Sequence, residues 1–153
     1  MARRFQLQTL LDLAKNHSDD AAKQLHVLKT RWHESEENLR QLMVYREEYR
    51  ARLAHSMKQG MRAMSCQDFH RFLGKLDQAI KQQAAEVDAA KARWEEGKRE
   101  WLNRRRKVQA YDTLHQRHLR SEATREARLE QREQDEFAGK QFGRKSVAED
   151  GTE

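Results

Sequence analysis

Few residues in this sequence stand where they could do covalent chemistry. His115 and His118 are three apart and would share one face of a helix, the first requirement of a two-histidine metal clip. A metal site needs further ligands converging on the same point. No such spacing follows them, so solvated histidines are the plainer reading. The single cysteine, Cys66, lies beside Gln67 and Asp68 with no base to draw off its proton, which argues against a nucleophile. One cysteine also excludes an internal disulfide and a cysteine zinc site, and a free thiol fits a reducing cytosol. The sequence has neither a glycine-rich phosphate loop nor a G-x-S-x-G turn. The expectation is a protein that is not an enzyme and takes no cofactor or metal.

Charge offers a second kind of chemistry. Lys98–Lys107 holds six basic residues and one acid around Trp101, a composition that contacts nucleic acid phosphates. Trp101, however, falls on an apolar stripe, and a charged outer face of a long helix explains the run without a ligand. The net charge of +6 is unevenly spread. Residues 1–60 carry 11 basic and 8 acidic groups, residues 61–119 carry 13 and 8, and residues 120–153 carry 7 and 9. So mild an excess is compatible with an acidic protein, a membrane surface or nucleic acid and does not choose among them.

These residues must be positioned by helices. The chain has 153 residues, no proline, six glycines, and equal shares (37%) of charged and hydrophobic residues. That is too polar for a thick core, and it suits a narrow apolar seam. The seam is legible as a 4–3 spacing through Leu7, Leu11, Ala14, Ser18, Ala21, Leu25, Leu28, Trp32, Ser35, Leu39, Leu42, Arg46, Tyr49 and Leu53. Of these 14 positions, 11 are apolar or aromatic. The spacing resumes through Phe69, Leu73, Leu76, Ile80, Gln83, Val87, Ala90, Trp94, Gly97, Trp101, Arg104, Val108 and Tyr111, where 10 of 13 are. A seven-residue apolar repeat keeps one stripe facing a partner helix, the requirement of a coiled coil. Beyond Tyr111 the stripe weakens.

Between the two runs, Gly60 can end a helix in the left-handed conformation, and Ser65 with Asp68 resembles a capping box. The expected fold is therefore all-α: a long antiparallel two-helix coiled coil over residues 1–138, with the second helix overhanging the first. Helix 1 is expected at about 5–58, the turn at about 60–65 and helix 2 at about 66–138. A disordered, flexible tail is expected at 139–153, which holds three of the six glycines. A turn so short forces the helices antiparallel. Facing residue numbers should then sum to about 125. That sets Trp32 against Trp94, Leu25 against Trp101 and Tyr49 against Leu76, with Gly97 making room for the Trp32 indole. No apolar run approaches the roughly 18 residues that span a membrane, and the N-terminus lacks the apolar stretch of a signal peptide.

Next to the turn, one edge of the seam is unusually apolar. Asn38 and Tyr45 of the first helix share it with Phe72 and Ala79 of the second, above Leu42, Tyr49 and Leu76. The opposite edge holds Arg50, His70 and Asp77. Such a patch is either a docking face or a widening of the seam. After Arg120 the helix has little stripe, with Glu122, Glu126 and Glu130 spaced as like-charge pairs. It is either solvated or waiting for a partner, because an unpaired helical end is marginal alone.

Several strings, in this order, resemble the FliJ family of the bacterial flagellar type III export apparatus. They are Leu7 with Leu10; Asp12, Leu13 and Ala14; Asp19, Asp20, Ala21 and Ala22; Leu42, Tyr45, Glu48, Tyr49 and Arg50; Phe72 and Leu76; and Asp135, Glu136, Phe137 and Ala138. The resemblance covers nearly the whole chain to about Ala138. It implies an antiparallel coiled coil similar to the central stalk of rotary ATP synthases. It also implies a cytoplasmic protein held peripherally at the inner face of the inner membrane. The implied partners are the export ATPase FliI, its regulator FliH, the export gate protein FlhA and export chaperones, with no nucleic acid. Carried over by position, the gate-binding face would comprise Asn38, Leu42, Tyr45, Tyr49, Phe72, Leu76, Ala79 and Gln83. Of these, Asn38 and Gln83 depart in identity from the family's residues. The ATPase end would be the one bearing both termini, with Leu10, Leu13, Arg125, Leu129 and Phe137. Two other classes stand beside this reading: a basic coiled coil on nucleic acid, and a structural rod.

Overall fold

The computed structural model describes residues 3–151. Two helices make up the fold: α1 (Gln8–Lys58, 51 residues) and α2 (Ala63–Asp150, 88 residues). Without proline, nothing in either segment removes a backbone donor, and the sequence between the glycines is rich in good helix formers. Gly60 ends α1 at φ +88°, the left-handed conformation that a residue without Cβ adopts freely. Lys58 places positive charge on the last turn, where free carbonyls gather negative potential.

The chain forms two units. The first comprises Asn16–Arg105 and holds the turn; the second comprises residues 3–15 with residues 106–151. In both, α1 and α2 segments run antiparallel. Within the first unit, Trp32 and Trp94 rings lie 5.1 Å apart, and the Arg46 and Asp77 side chains meet at 2.7 Å. In the second, Phe5 lies 4.9 Å from the His115 ring. Each pair sums close to the expected register.

Every one of the 14 seam positions on the first helix and the 13 on the second is buried or half-buried. Leu11, with 2% of its surface exposed, is the most enclosed, and Leu53, Leu76, Ile80 and Ala90 follow. Each apolar side chain that leaves water contributes about 25 cal/mol per Å². Alternating turns of one stripe therefore hold the pair together without a thick core.

Three local expectations need correction. First, Ser65 and Asp68 do not cap the second helix. α2 already starts at Ala63, and the Cys66 N–H donates to the Arg62 carbonyl at 3.0 Å. Once Gly60 has reversed the chain, nothing in the sequence delays the next helical turn. Second, Gly97 makes room for Leu28 rather than for Trp32. A Cβ there would lie 2.7 Å from Leu28 Cδ1 and 3.7 Å from Leu25 Cδ1. The register itself pairs position 97 with 28, and Trp32 is taken up by Trp94. Third, α2 does not end near 138 but runs on to Asp150. Gly139 and Gly143 lie in open space and cost a helix only about 1 kcal/mol each relative to alanine. No described residue after Glu122 is buried or half-buried.

Candidate protein-interaction sites

In the unit bearing the turn, Tyr45 and Tyr49 of α1 gather with Phe69 and Phe72 of α2, so that the Tyr49 ring reaches turnward of Leu76, the residue the register sets opposite it. Tyr49 lies 4.5 Å from Phe72 and 5.1 Å from Phe69, ring centre to ring centre. Tyr45 packs edge-on to Phe72 at 6.3 Å and lies 6.4 Å from Tyr49. Tyr49 and Phe69 are half-buried, whereas Tyr45 and Phe72 keep 43% and 36% of their surface exposed. The two edge residues thus widen the seam and still present ring faces to solvent. Leu76 is buried beneath them; Leu42 and Ala79 are half-buried, and Asn38 is exposed. Gln83 is half-buried, with its amide turned across the seam onto the Ser35 carbonyl at 3.0 Å. Sequence reasoning took Phe69 only as a seam residue. Its place in the aromatic cluster follows from standing three positions before Phe72 on the same helix face.

The opposite edge is polar and internally paired. Arg46 meets Asp77 at 2.7 Å, and Arg50 meets Glu47 at 3.7 Å. An apolar, aromatic edge against a charge-paired one gives this unit two chemically different sides. The aromatic side offers exposed ring surface, and the other side offers paired charges.

In the second unit, residues 3–7 lie along α2 ahead of the first turn of α1. The Phe5 ring sits against His115 and, at 5.5 Å, against His118. The His118 Nε2–H donates to the Arg3 carbonyl at 2.7 Å. The Arg3 backbone N–H donates to Glu122 Oε2 at 3.1 Å. That bond, supported by the positive charge of Arg125 and by His118, holds the Glu122 carboxyl below the usual glutamate range, with desolvation acting the other way. The two histidines are therefore half-buried seam residues rather than solvated ones. The 4–3 repeat continues through His115, His118 and Glu122, and a template restricted to apolar residues misses it. Leu10 and Leu13 are exposed at this end, as are Leu129 and Phe137, while Arg125 lies 3.8 Å from Glu122.

The basic run is largely engaged within the chain. Arg99 pairs with Glu96 and Arg104 with Glu100; Lys98 lies over the Trp94 ring and Arg105 over Trp101. The gap at Gly97 opens a shallow groove edged by Ala21, Leu28 and Gly97, with Asp20, Glu100 and Arg104 on its rims. Among the described residues, no three His, Cys, Asp or Glu side chains are placed to hold a metal ion. No helix of the described chain is long and apolar enough to cross a membrane.

Comparison with known proteins follows the same lines. Residues 3–146 match the family model described as Flagellar FliJ protein. The flagellar FliJ proteins of Salmonella typhi and of Escherichia coli are each 30% identical to this chain over 145 residues, 95% of its length and 99% of theirs. Among solved structures, a Chlamydia trachomatis protein described as a YscO homolog has a TM-score of 0.71. It covers 98% of this chain and 99% of its own at 18% identity, a likeness of fold.

Proposed function

The chain belongs to the flagellar FliJ family, a component of the flagellar protein export apparatus, and on that premise we propose that it is the coupling and chaperone-escort subunit of that apparatus. Its work in this reading is binding, with no catalytic residue and no cofactor. The edge around Tyr45 and Phe72 docks on the export gate protein FlhA. The end bearing Leu10, Leu13, Arg125, Leu129 and Phe137 engages the export ATPase FliI and its regulator FliH. Export chaperones are the escorted partners. The protein is then cytoplasmic and held at the cytoplasmic face of the inner membrane through these contacts.

One observation carries the reading: two aromatic side chains, 43% and 36% exposed, packed edge-on to each other with Tyr49 against Phe72. Burying each in a partner contributes roughly 1.5–3 kcal/mol before ordering costs, so losing one weakens binding about tenfold or more. Leu42→Ala or Leu76→Ala would also loosen the coil, whereas Tyr45→Ala and Phe72→Ala separate docking from folding. The test measures helicity, FliI binding and FlhA binding for each variant. The expected result is retained helicity and FliI binding with weakened FlhA binding and reduced motility. Equal loss of both partners makes the edge structural, and undiminished FlhA binding by a folded double variant places the docking face elsewhere.

A further inference from the structure

The turn carries a chemistry that the aromatic edge does not use. Residues 49–67 are the longest stretch of the chain without an acidic residue, 19 positions in a sequence with 25 acids. Four cations fall in it: Arg50, Arg52, Lys58 and Arg62. Arg50 leans onto Glu47, while Arg52, Lys58 and Arg62 are exposed. Three of the five methionines, Met57, Met61 and Met64, lie in the same stretch. Met57 is 53% and Met64 78% exposed, on either side of Gly60.

From this coincidence we propose that the tip of the hairpin touches an anionic phospholipid bilayer, with Met57 and Met64 entering the headgroup layer and Arg52, Lys58 and Arg62 lying at the phosphates. The tip is a convex reversal of the chain, so it offers a protrusion rather than a groove. Thioether side chains are unbranched, apolar and adaptable, and they reach into a soft boundary without needing a shaped pocket. A leaflet of anionic lipid presents one sign of charge, and an acid-free tip meets it without repulsion. Protein interfaces also gather Met and Arg, but their anchors are most often large aromatic side chains. The stretch between Tyr49 and Phe69 has no aromatic residue. Each cation at an anionic surface is worth about fivefold in partitioning, so three give about a hundredfold. The contact is accordingly reversible and weakens as salt screens it.

Cys66, half-buried three residues into α2 and the chain's single thiol, allows an environment-sensitive fluorophore to be set beside the tip. Full-length labelled protein is mixed with vesicles of phosphatidylcholine alone, or with about one third phosphatidylglycerol. Flotation of unlabelled protein gives a second measurement free of the label. The expected result is flotation and a blue shift with the anionic vesicles only, both diminishing with salt. Arg52→Gln, Lys58→Gln and Arg62→Gln together should reduce binding about a hundredfold. Met57→Ser with Met64→Ser should reduce it several-fold while helicity is retained. Four outcomes overturn the proposal: no binding to anionic vesicles; binding indifferent to the methionine pair; binding indifferent to the three tip cations; or binding abolished by Lys140→Gln, Arg144→Gln and Lys145→Gln but not by the tip variants.

Discussion

The side-chain amide of Gln83 on α2 donates to the backbone carbonyl of Ser35 on α1 at 3.0 Å, across the seam. Ser35 is itself buried, and its hydroxyl donates to the Trp32 carbonyl at 2.7 Å. One layer of the coil is therefore polar and hydrogen-bonded, in the manner by which coiled coils fix register at some cost in stability. Gln83→Ala removes the bond from a half-buried site and is expected to lower stability by about 1 kcal/mol. Thermal unfolding followed by circular dichroism reads this, and an unchanged midpoint would show that the bond contributes nothing net.

Two of the four glycines inside α2, Gly74 and Gly97, make opposite demands. Gly74 has nothing within 4 Å of an added Cβ, so Gly74→Ala is expected to stabilise by about 0.5–1 kcal/mol through helix propensity alone. At Gly97 the same methyl would press on Leu28 Cδ1 at 2.7 Å. Leu28 can yield by turning its side chain, at a cost of about 0.5–1.5 kcal/mol, so the propensity gain is cancelled or slightly reversed. Denaturant midpoints of the two variants should therefore move apart, with the alanine at 74 the more stable. Equal gains at both sites would mean that Leu28 adjusts without cost.

How far the sequence carried these conclusions depended on which residues write the repeat. From Leu7 to Tyr111 the seam was fully legible, because large apolar residues recur often enough that Ser35, Arg46, Gln83 and Arg104 could be placed by interpolation. After Tyr111 the same spacing is carried by His115, His118, Glu122 and Arg125, and the next apolar residue on it is Leu129, too far on for interpolation. Aromatic neighbours were legible at Trp32 and Trp94 because the register fixes pairs on opposite helices. At Gly97 the register alone names the neighbour, Leu28, and the size of the Trp32 indole misleads. The end of α2 was misplaced because glycine lowers helix propensity without forbidding the helix. Exposure of Tyr45 and Phe72 could be anticipated only as an edge position, since how much ring surface remains free depends on how Tyr49 is turned.

Trp32 presents a different balance. Its ring is held between Trp94 at 5.1 Å and the stacked ring of His33 at 5.2 Å, with Lys91 Nζ 5.9 Å from its centre. Its indole N–H, however, is buried with no acceptor among the described residues. A buried donor without a partner costs about 1–3 kcal/mol. Trp32→Phe removes that donor while keeping an aromatic ring in the layer. The expected change in stability is within about 1 kcal/mol of zero, because lost indole contacts offset the relieved donor. Trp32→Ala should instead cost about 3 kcal/mol or more, through the cavity it opens beside Trp94. Chemical denaturation of the pair checks this, and a phenylalanine variant as unstable as the alanine would mean that the N–H is satisfied in solution.

Attachment of the N-terminal residues to α2 should depend on pH through Glu122. The Arg3 backbone N–H bonds to the ionised carboxylate, and Arg125 and His118 add favourable charge, so the folded group titrates below its ordinary value. A depressed pKa means that folding favours the ionised form. The resulting stabilisation is fully present above the ordinary glutamate range, about pH 4.3. It is lost as pH falls through the lower folded value. In the other direction the bond from His118 to the Arg3 carbonyl persists, since its Nε2–H remains a donor whether or not the ring is charged. Docking of Arg3 and Phe5 should therefore hold from neutral pH into the mildly acidic range and loosen only in stronger acid. Nuclear magnetic resonance can follow the Arg3 amide and the Phe5 ring, whose shifts should move together with a midpoint below that of an exposed glutamate. In Glu122→Gln the side chain can still accept from Arg3 but cannot ionise, so the acid-dependent movement should vanish while the neutral-pH contact weakens. A midpoint at or above the ordinary glutamate value, or the same titration in Glu122→Gln, would assign the loosening to another carboxylate.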